Sequence, residues 1–172
     1  MNFISRPEDL AQEAYYTPYI NTVVGDNLLE CLKTVKKATE DFYLQLSIEK
    51  ATLKPSAEVW SAKQILHHIS DCERILAYRF LRLNRGDTSP TLGFDRILFA
   101  ENENPNLSIT ELLDEYKAVR EASIQLIKNS NAAFLEVTST YKGTILSPRI
   151  LAWLIVGHNQ HHLNLLYKGF NL

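Results

Sequence analysis

Helical spacing of apolar residues is the feature that most limits what this 172-residue chain can fold into. In several long segments apolar residues recur every three or four positions, and the whole chain contains only six glycines and six prolines. The first such series comprises Leu28, Leu32, Val35, Ala38, Phe42 and Leu46. This spacing is typical of an amphipathic α-helix, so it predicts a first helix there.

Local start and stop signals predict three further helices. A serine followed three residues later by glutamine or glutamate, at 61–64 and again at 108–111, is the capping box that begins a helix. Ser147-Pro148 places a capping residue before a proline at the first helical position, and Gly169 is suited to end that helix. We therefore predict helices over 61–84, 108–128 and 148–169.

Four long helices joined by connectors predict an all-α fold, a four-helix bundle. Strands alternating with helices are not visible in the sequence. Pro55 prevents a helix from running through the first connector, residues 86–93 are expected to be a loop, and residues 137–146 suit a short extended segment. Residues 1–24 are expected to form an extended or partly helical arm, within a single domain that spans 1–172.

Composition excludes several classes of partner. The net charge is −2 and there is no run of basic residues, which argues against a nucleic acid or an anionic membrane surface as partner. No stretch approaches the ~20 apolar residues that cross a bilayer, and the first ten residues lack a signal-peptide pattern. Two cysteines make no disulfide framework, so we expect a cytoplasmic protein.

All five histidines lie on two of the predicted helices. Three of them, His158, His161 and His162, lie on the last helix, and at about 100° per residue His162 projects about 40° from His158. This pair lies within an apolar arc of the helix, whereas His161 lies at the edge of that arc, about 60° away on the other side. Residues four apart are neighbours on one face, so His158 and His162 can bind one ion together.

On the second helix the same projection separates His67 from His68. His68 lies on an arc with Ile65 and Ile75 and faces the core, whereas His67 is turned about 100° toward solvent or a polar neighbour. Three inward-facing imidazoles on two helices can bind one metal and leave a coordination position open for chemistry. Hydrogen-bonded core histidines would give the same pattern, so the spacing by itself leaves both interpretations open.

Two long motifs resemble those of a known family. The segment 60–79, W-S-A-K-Q-I-L-H-H-I-S-D-C-E-R followed by A-Y-R, resembles the second-helix motif of the DinB/YfiT-like superfamily, W-[ST]-x-x-x-I-L-x-H-L-x-D-x-E-R. The segment 157–162, G-H-N-Q-H-H, resembles that family's G-H-x-x-H-H helix. The motifs stand in the right order and at the right separation, and the resemblance extends over nearly the whole chain.

The resemblance implies a four-helix bundle that binds one divalent metal, commonly nickel or zinc, through His68, His158 and His162. It also implies a homodimer and a small-molecule substrate. Family members of known activity are similar to S-transferases that use a low-molecular-weight thiol such as bacillithiol, mycothiol or glutathione. Others are labelled metal-dependent hydrolases, and a non-catalytic metal-binding stress protein is a third interpretation.

Four further residues on the second helix are candidates to support the site. Asp71 and Glu73 are each expected either to accept a hydrogen bond from a metal-bound histidine or to form a salt bridge with Arg74. Cys72 is a soft ligand, a redox-sensitive thiol or a small buried hydrophobic residue. Arg79 is expected to neutralise a carboxylate of the substrate or thiol, or to cap the bundle through an ion pair.

The order of residues after His158 bears on the reaction class. Asn159 and Gln160 follow it, so the chain lacks the glutamate base of the H-E-x-x-H motif. A metal-activated thiolate needs no such base, whereas hydrolysis by metal-bound water often uses one. The sequence therefore favours the thiol-dependent route.

Overall fold

Four long α-helices dominate the computed structural model, which describes residues 4–8, 10–11, 14–56 and 59–170. The all-α four-helix bundle predicted from the sequence is confirmed. Shorter elements connect these helices. In chain order the elements are α1 (Thr17–Ile20), α2 (Leu28–Leu44), α3 (Ile48–Thr52), α4 (Ala62–Leu83), α5 (Arg96–Glu101), α6 (Ile109–Lys128), a 3₁₀ turn (Ala132–Phe134), β1 (Ser139–Tyr141), β2 (Thr144–Leu146) and α7 (Pro148–Phe170).

The long helices begin where the capping signals predict. Both capping boxes form, with the backbone N–H of Gln64 donating to Ser61 Oγ at 3.2 Å and that of Glu111 donating to Ser108 Oγ at 3.2 Å. Ser147 Oγ accepts a hydrogen bond from a backbone N–H in the first turn of α7. Each cap satisfies an N–H group that the helix itself leaves without a partner.

The connectors contain more structure than the sequence predicts. Residues 137–146 do contain an extended segment, which is the antiparallel β1–β2 hairpin closed by Lys142 and Gly143 at positive φ angles of 49° and 77°. The short helices α3 and α5 were not predicted, because their five and six residues are too few to show a helical period. In the predicted N-terminal arm, which contains α1, residues 1–3, 9, 12 and 13 lie outside the described residues.

Helix α7 is the centre of the bundle. Trp153 and Val156 on the side away from the histidines are fully buried, and the indole N–H of Trp153 donates to the carbonyl of Ser5 at 2.9 Å. Burial within one chain thus accounts for the apolar residues on two sides of this helix, and the homodimer stays a prediction. No helix among the described residues has both the length and the apolar composition needed to cross a bilayer.

A buried ion pair links all four long helices. Arg120 on α6 has no solvent exposure and donates to both carboxylate oxygens of Glu73 on α4, at 2.7 to 3.1 Å. The same guanidinium donates to the carbonyl of Leu32 on α2 and to Asn159 Oδ1 on α7. Burial opposes the charge on Arg120, but the adjacent Glu73 carboxylate raises the pKa of Arg120 above its ordinary value. Because every partner is hydrogen-bonded, the charges are tolerated inside the bundle.

Two further side chains complete this network. Tyr116 donates its hydroxyl to Asn159 Oδ1 at 2.7 Å, and the amide of Asn159 donates to Thr39 Oγ1 at 3.1 Å. Asn159 thereby makes three hydrogen bonds, two with side chains of α6 and one with a side chain of α2. Since the residue before it is His158, the network also restrains the rotation of α7 at the predicted metal ligands.

A glycine brings α1 into direct contact with α7. A Cβ atom added at Gly157 would lie 2.5 Å from the carbonyl oxygen of Tyr19, a distance that only a shift of the backbone would relieve. Thr22 Oγ1 donates to the Gly157 carbonyl at 3.3 Å from the same side. Gly157 is therefore required for close packing of α1 at the position next to His158.

Removing one partner of the buried ion pair is expected to destabilise the bundle more than removing both. Arg120→Met leaves the Glu73 carboxylate buried without a counter-charge and should lower the free energy of unfolding by about 3–5 kcal/mol. The double variant Arg120→Met with Glu73→Leu should recover a large part of that loss. Urea unfolding of the three proteins measures both effects, and a single variant as stable as the double variant would contradict the structural role assigned to the pair.

Gly157→Ala is expected to destabilise the protein by about 1–3 kcal/mol, because the added methyl group overpacks the contact with α1. Gly169→Ala on the same helix is the matched control. A Cβ at Gly169 has no atom within 4 Å, so that change should be neutral or stabilising, by up to about 1 kcal/mol. Thermal unfolding of both variants tests the difference, and equal melting temperatures would refute the close approach.

Candidate metal centre

The structure brings three of the predicted site residues together. His68 on α4 and His158 and His162 on α7 each offer a ring nitrogen, and these nitrogens lie within 4.8 Å of one another. The ring centroids are 5.0 Å apart for His68 and His158, 4.9 Å for His68 and His162, and 4.6 Å for His158 and His162. We refer to these three residues as the histidine cluster.

Helix geometry explains how the histidine cluster forms. His158 and His162 are one turn apart, so both rings project from the same face of α7. The face of α4 that carries His68 packs against that side of α7, as the projection of the sequence predicts. Asn159 projects about 100° from His158 and is held in the buried polar network, which keeps the histidine face of α7 turned toward α4.

The histidine cluster fits a single metal ion. Zinc–nitrogen bonds are ~2.0–2.1 Å long, so nitrogens that share one ion lie at most about 4.2 Å apart, and a small inward movement of the side chains achieves this. The buried Nδ1 of His162 has no hydrogen-bond partner among the described residues. A buried polar atom is seldom left in that state, and imidazole ligands suit zinc and nickel.

The protonation state of the histidines also suits metal binding. Burial lowers the pKa of His68 to about 4, and the charge of Arg96 contributes in the same direction. Burial lowers the pKa of His162 to about 3, with His68 as the next contribution, and it lowers the pKa of His158 well below its ordinary value. All three imidazoles are therefore neutral near pH 7, which is the form that binds a metal.

The histidine cluster lines a large open cleft. The cleft has a volume of about 1360 Å³. Aromatic rings form its wall beside the cluster: Trp60 lies 4.8 Å from the His68 ring, and Tyr19 lies 5.5 Å from the His158 ring. His161, which the projection placed at the edge of the arc, also lines the cleft and packs its ring against Tyr19 at 4.9 Å. A small molecule can thus reach the cluster from one side.

Cys72 lies beside the histidine cluster and is not part of the converging group. Its sulfur is 3.6 Å from both ring nitrogens of His68, and the side chain is buried. Burial raises the pKa of the Cys72 thiol to about 12. Of the three interpretations offered by the sequence, the burial of Cys72 and its place outside the converging group fit the small buried residue.

Asp71 and Glu73 are directed away from the histidine cluster. Asp71 lies 3.6 Å from Arg74, so the salt bridge predicted as the alternative role is the one present. It also projects on the side of His67, and burial raises the pKa of the Asp71 carboxyl group. Glu73, the other acidic candidate, pairs with Arg120 and not with a histidine or with Arg74. Neither carboxylate is placed to orient the histidine cluster.

Arg79 lies in the cleft and has no acidic partner among the described residues. It is 3% exposed, and its Nη2 donates to the carbonyl of Leu92 at 3.0 Å. The guanidinium stacks over the Tyr141 ring, 4.0 Å from its centroid. Of the two roles predicted for Arg79, the ion pair that caps the bundle is not formed, and the binding of a ligand carboxylate stays a prediction.

The sequence analysis missed the buried pairing of Arg120 with Glu73, and it missed the cleft residues on the connectors. Arg120 projects within about 40° of both Leu113 and Tyr116, and Glu73 projects within about 20° of Leu66 and Phe80, so their inward positions were visible in the helical period. Cleft residues on the connectors, Tyr141 and Arg96, left no such signal. Their contribution depends on where the hairpin and α5 pack, which no local pattern specifies.

The chain belongs to the DinB superfamily, whose family model matches residues 31–166. Among solved structures it is similar to YfiT from Bacillus subtilis, with a TM-score of 0.70 and 15% identity over 96% of this chain and 93% of YfiT. YfiT is described as a probable metal-dependent hydrolase with an unusual four-helix bundle topology. A DinB-like protein from Bacillus subtilis, YjoA, has a TM-score of 0.61 and 15% identity over 85% of this chain and 90% of that chain. No curated protein matches the sequence significantly.

Metal analysis of the untagged protein tests the histidine cluster. We expect about one divalent ion per chain, and an affinity reduced at least about tenfold in His68→Ala and in His162→Ala, since each removes a ligand. His67→Ala is the matched control, because this neighbour on α4 lies outside the cluster and should leave metal binding unchanged. Equal metal content in all four proteins would exclude the site, whatever the fold.

Proposed function

We propose that this protein is a metal-dependent enzyme that joins a low-molecular-weight thiol to a small electrophilic substrate. The histidine cluster would hold one zinc or nickel ion. The observation that carries the proposal is the convergence of three neutral imidazoles on an open cleft, in a group that contains no carboxylate. A closed structural site would instead surround its metal with four protein ligands.

The residues of the cleft would have different roles in such a reaction. A bound divalent ion would supply a Lewis acid that makes a thiol more acidic. The histidine cluster would hold that ion, while Trp60 and Tyr19 pack against the His68 and His158 rings. Cys72 lies outside the group of converging ligands, so the role of nucleophile is assigned to the external thiol. The thiol sulfur forms a bond to the electrophilic carbon, the bond from carbon to the leaving group breaks, and the thiol proton passes to solvent.

The residues at the positions where a hydrolase would have its general base are amides, which supports the thiol route. Asn159 follows His158, and its side chain is fully engaged in the buried network with Arg120 and Thr39. Gln160 donates to Asn164 on the exposed side of α7. Neither residue is a carboxylate, and neither is free to accept a proton from water at the histidine cluster.

A metal-dependent hydrolase is the second candidate function. The structural similarity to YfiT favours it, since that protein is described as a probable metal-dependent hydrolase. At 15% identity the similarity concerns the fold alone, so the reaction described for YfiT is a hypothesis for this chain. Esters and amides are the probes that separate this candidate from the transferase.

Thiol-dependent turnover is the test of the proposal. Metal-loaded protein, given bacillithiol or glutathione and an aryl chloride, should produce the thioether, as measured by mass spectrometry. His162→Ala should lower kcat/KM at least about 100-fold, because the Lewis acid is lost, whereas His67→Gln should keep full activity.

The other outcomes of the same assay identify the alternatives. Hydrolysis of ester or amide probes without thiol would replace the transferase with the hydrolase. Bound metal whose removal unfolds the chain, with no turnover of either class, would indicate a non-catalytic metal-binding stress protein.

A further inference from the structure

The cleft contains a second polar region at a distance from the histidine cluster. Arg79 lies on α4 two turns beyond Cys72, about 10 Å along the helix axis. Apart from the hydrogen bond to the Leu92 carbonyl, its N–H groups make no hydrogen bond to the described residues. The side chain nevertheless lines the cleft, so the remaining donors are available to a ligand.

The absence of a counter-charge distinguishes Arg79 from its neighbours on the same helix. Arg74 pairs with Glu115 at 2.7 Å, and Arg82 pairs with Asp87 at 2.6 Å. Arg79 is much more buried than either, yet no carboxylate of the described residues lies within ion-pair distance. Burying an unpaired guanidinium is costly, and such a charge is retained where a ligand supplies the counter-ion.

The β1–β2 hairpin adds to the positive charge at this place. The ring of Tyr141, at the end of β1, stacks against the Arg79 guanidinium, and the ammonium group of Lys142 lies 5.6 Å from the centroid of the same ring. Lys142 is in the turn of the hairpin and is exposed to the cleft. Two cations thus flank one aromatic ring.

The acidic residues of the cleft do not neutralise this region. Asp95 caps the start of α5 and Glu101 is its last residue. Asp95 accepts hydrogen bonds from the backbone N–H groups of Ile97 and Leu98, which engages it as the cap of α5. Neither forms an ion pair with Arg79 or Lys142 among the described residues.

We propose that Arg79 and Lys142 form an anion subsite that binds the carboxylate of an elongated ligand whose other end reaches the histidine cluster. The position of the reacting end rests on the proposed function, whereas the anion subsite rests on the Arg79 environment alone. Leu76 lines the cleft one turn before Arg79, so the middle of the ligand would contact apolar surface. A planar, singly charged carboxylate matches one guanidinium in both charge and shape.

Binding measurements with two matched pairs of probes test the subsite without requiring turnover. The first pair is mercapto-octanoate and its amide, which represent the thiol, and the second is chloronitrobenzoate and its amide, which represent the electrophile. In each pair the carboxylate is replaced by an uncharged group of the same shape. Isothermal titration to the metal-loaded protein should show a preference of about tenfold or more for the acid in at least one pair.

Variants assign that preference to the subsite. Arg79→Met should abolish the preference, and Arg79→Lys should keep part of it, because a charge remains without the planar donors. Arg85→Met, at an exposed arginine of the same region outside the cleft, is the matched control and should bind like the wild type. Circular dichroism and metal content, expected to be unchanged in every variant, exclude a folding effect.

The pair that shows the preference identifies which ligand carries the carboxylate. A preference in the first pair assigns the subsite to the thiol, and one in the second pair assigns it to the substrate. Equal affinities for acid and amide in both pairs, or a preference that survives Arg79→Met, would overturn the proposal. Titration of metal-free His68→Ala separates this result from the proposed function, because the acid preference should persist there even if no thiol transfer is ever observed.

Discussion

The ion pair between Arg120 and Glu73 is the interaction on which the arrangement of the bundle depends. It lies where α2, α4, α6 and α7 meet, and both of its side chains are buried. Apolar packing alone permits helices to rotate by small amounts, whereas a buried charge requires its partners at defined positions. Asn159 is one of those partners, so the pair restrains α7 directly beside His158.

The histidine cluster packs against the protein interior on one side and faces the cleft on the other. The polar network and the close contact of α1 with Gly157 lie on the interior side, and the cleft is wide enough for a small molecule. Burial keeps the three imidazoles neutral. Among the described residues, no carboxylate accepts a hydrogen bond from them. The site is therefore prepared for a metal by packing, in contrast to sites that rely on a carboxylate to orient each histidine.

Features that depend on residues close together in the sequence were predicted correctly, whereas contacts between distant residues were not. Ser61 and Ser108 act within four residues of themselves, and both capping boxes formed as predicted. The projection that turned His68 inward and His67 away also uses nothing beyond helical geometry. Glu73 was misjudged because it was considered as a neighbour of His68, although its own projection, among Leu66 and Phe80, already indicated a buried charge.

The sequence by itself determined the four long helices, the face that each turns inward, and the membership of the histidine cluster, because period and capping are local properties of the chain. The tertiary structure alone decided that Arg120 reaches Glu73, and that the hairpin carries Tyr141 to Arg79. Residues that are tens of positions apart meet only after the helices have packed, and their meeting leaves no periodic pattern in either segment. For this reason the histidine cluster was predictable, whereas the contribution of the hairpin to the cleft was not.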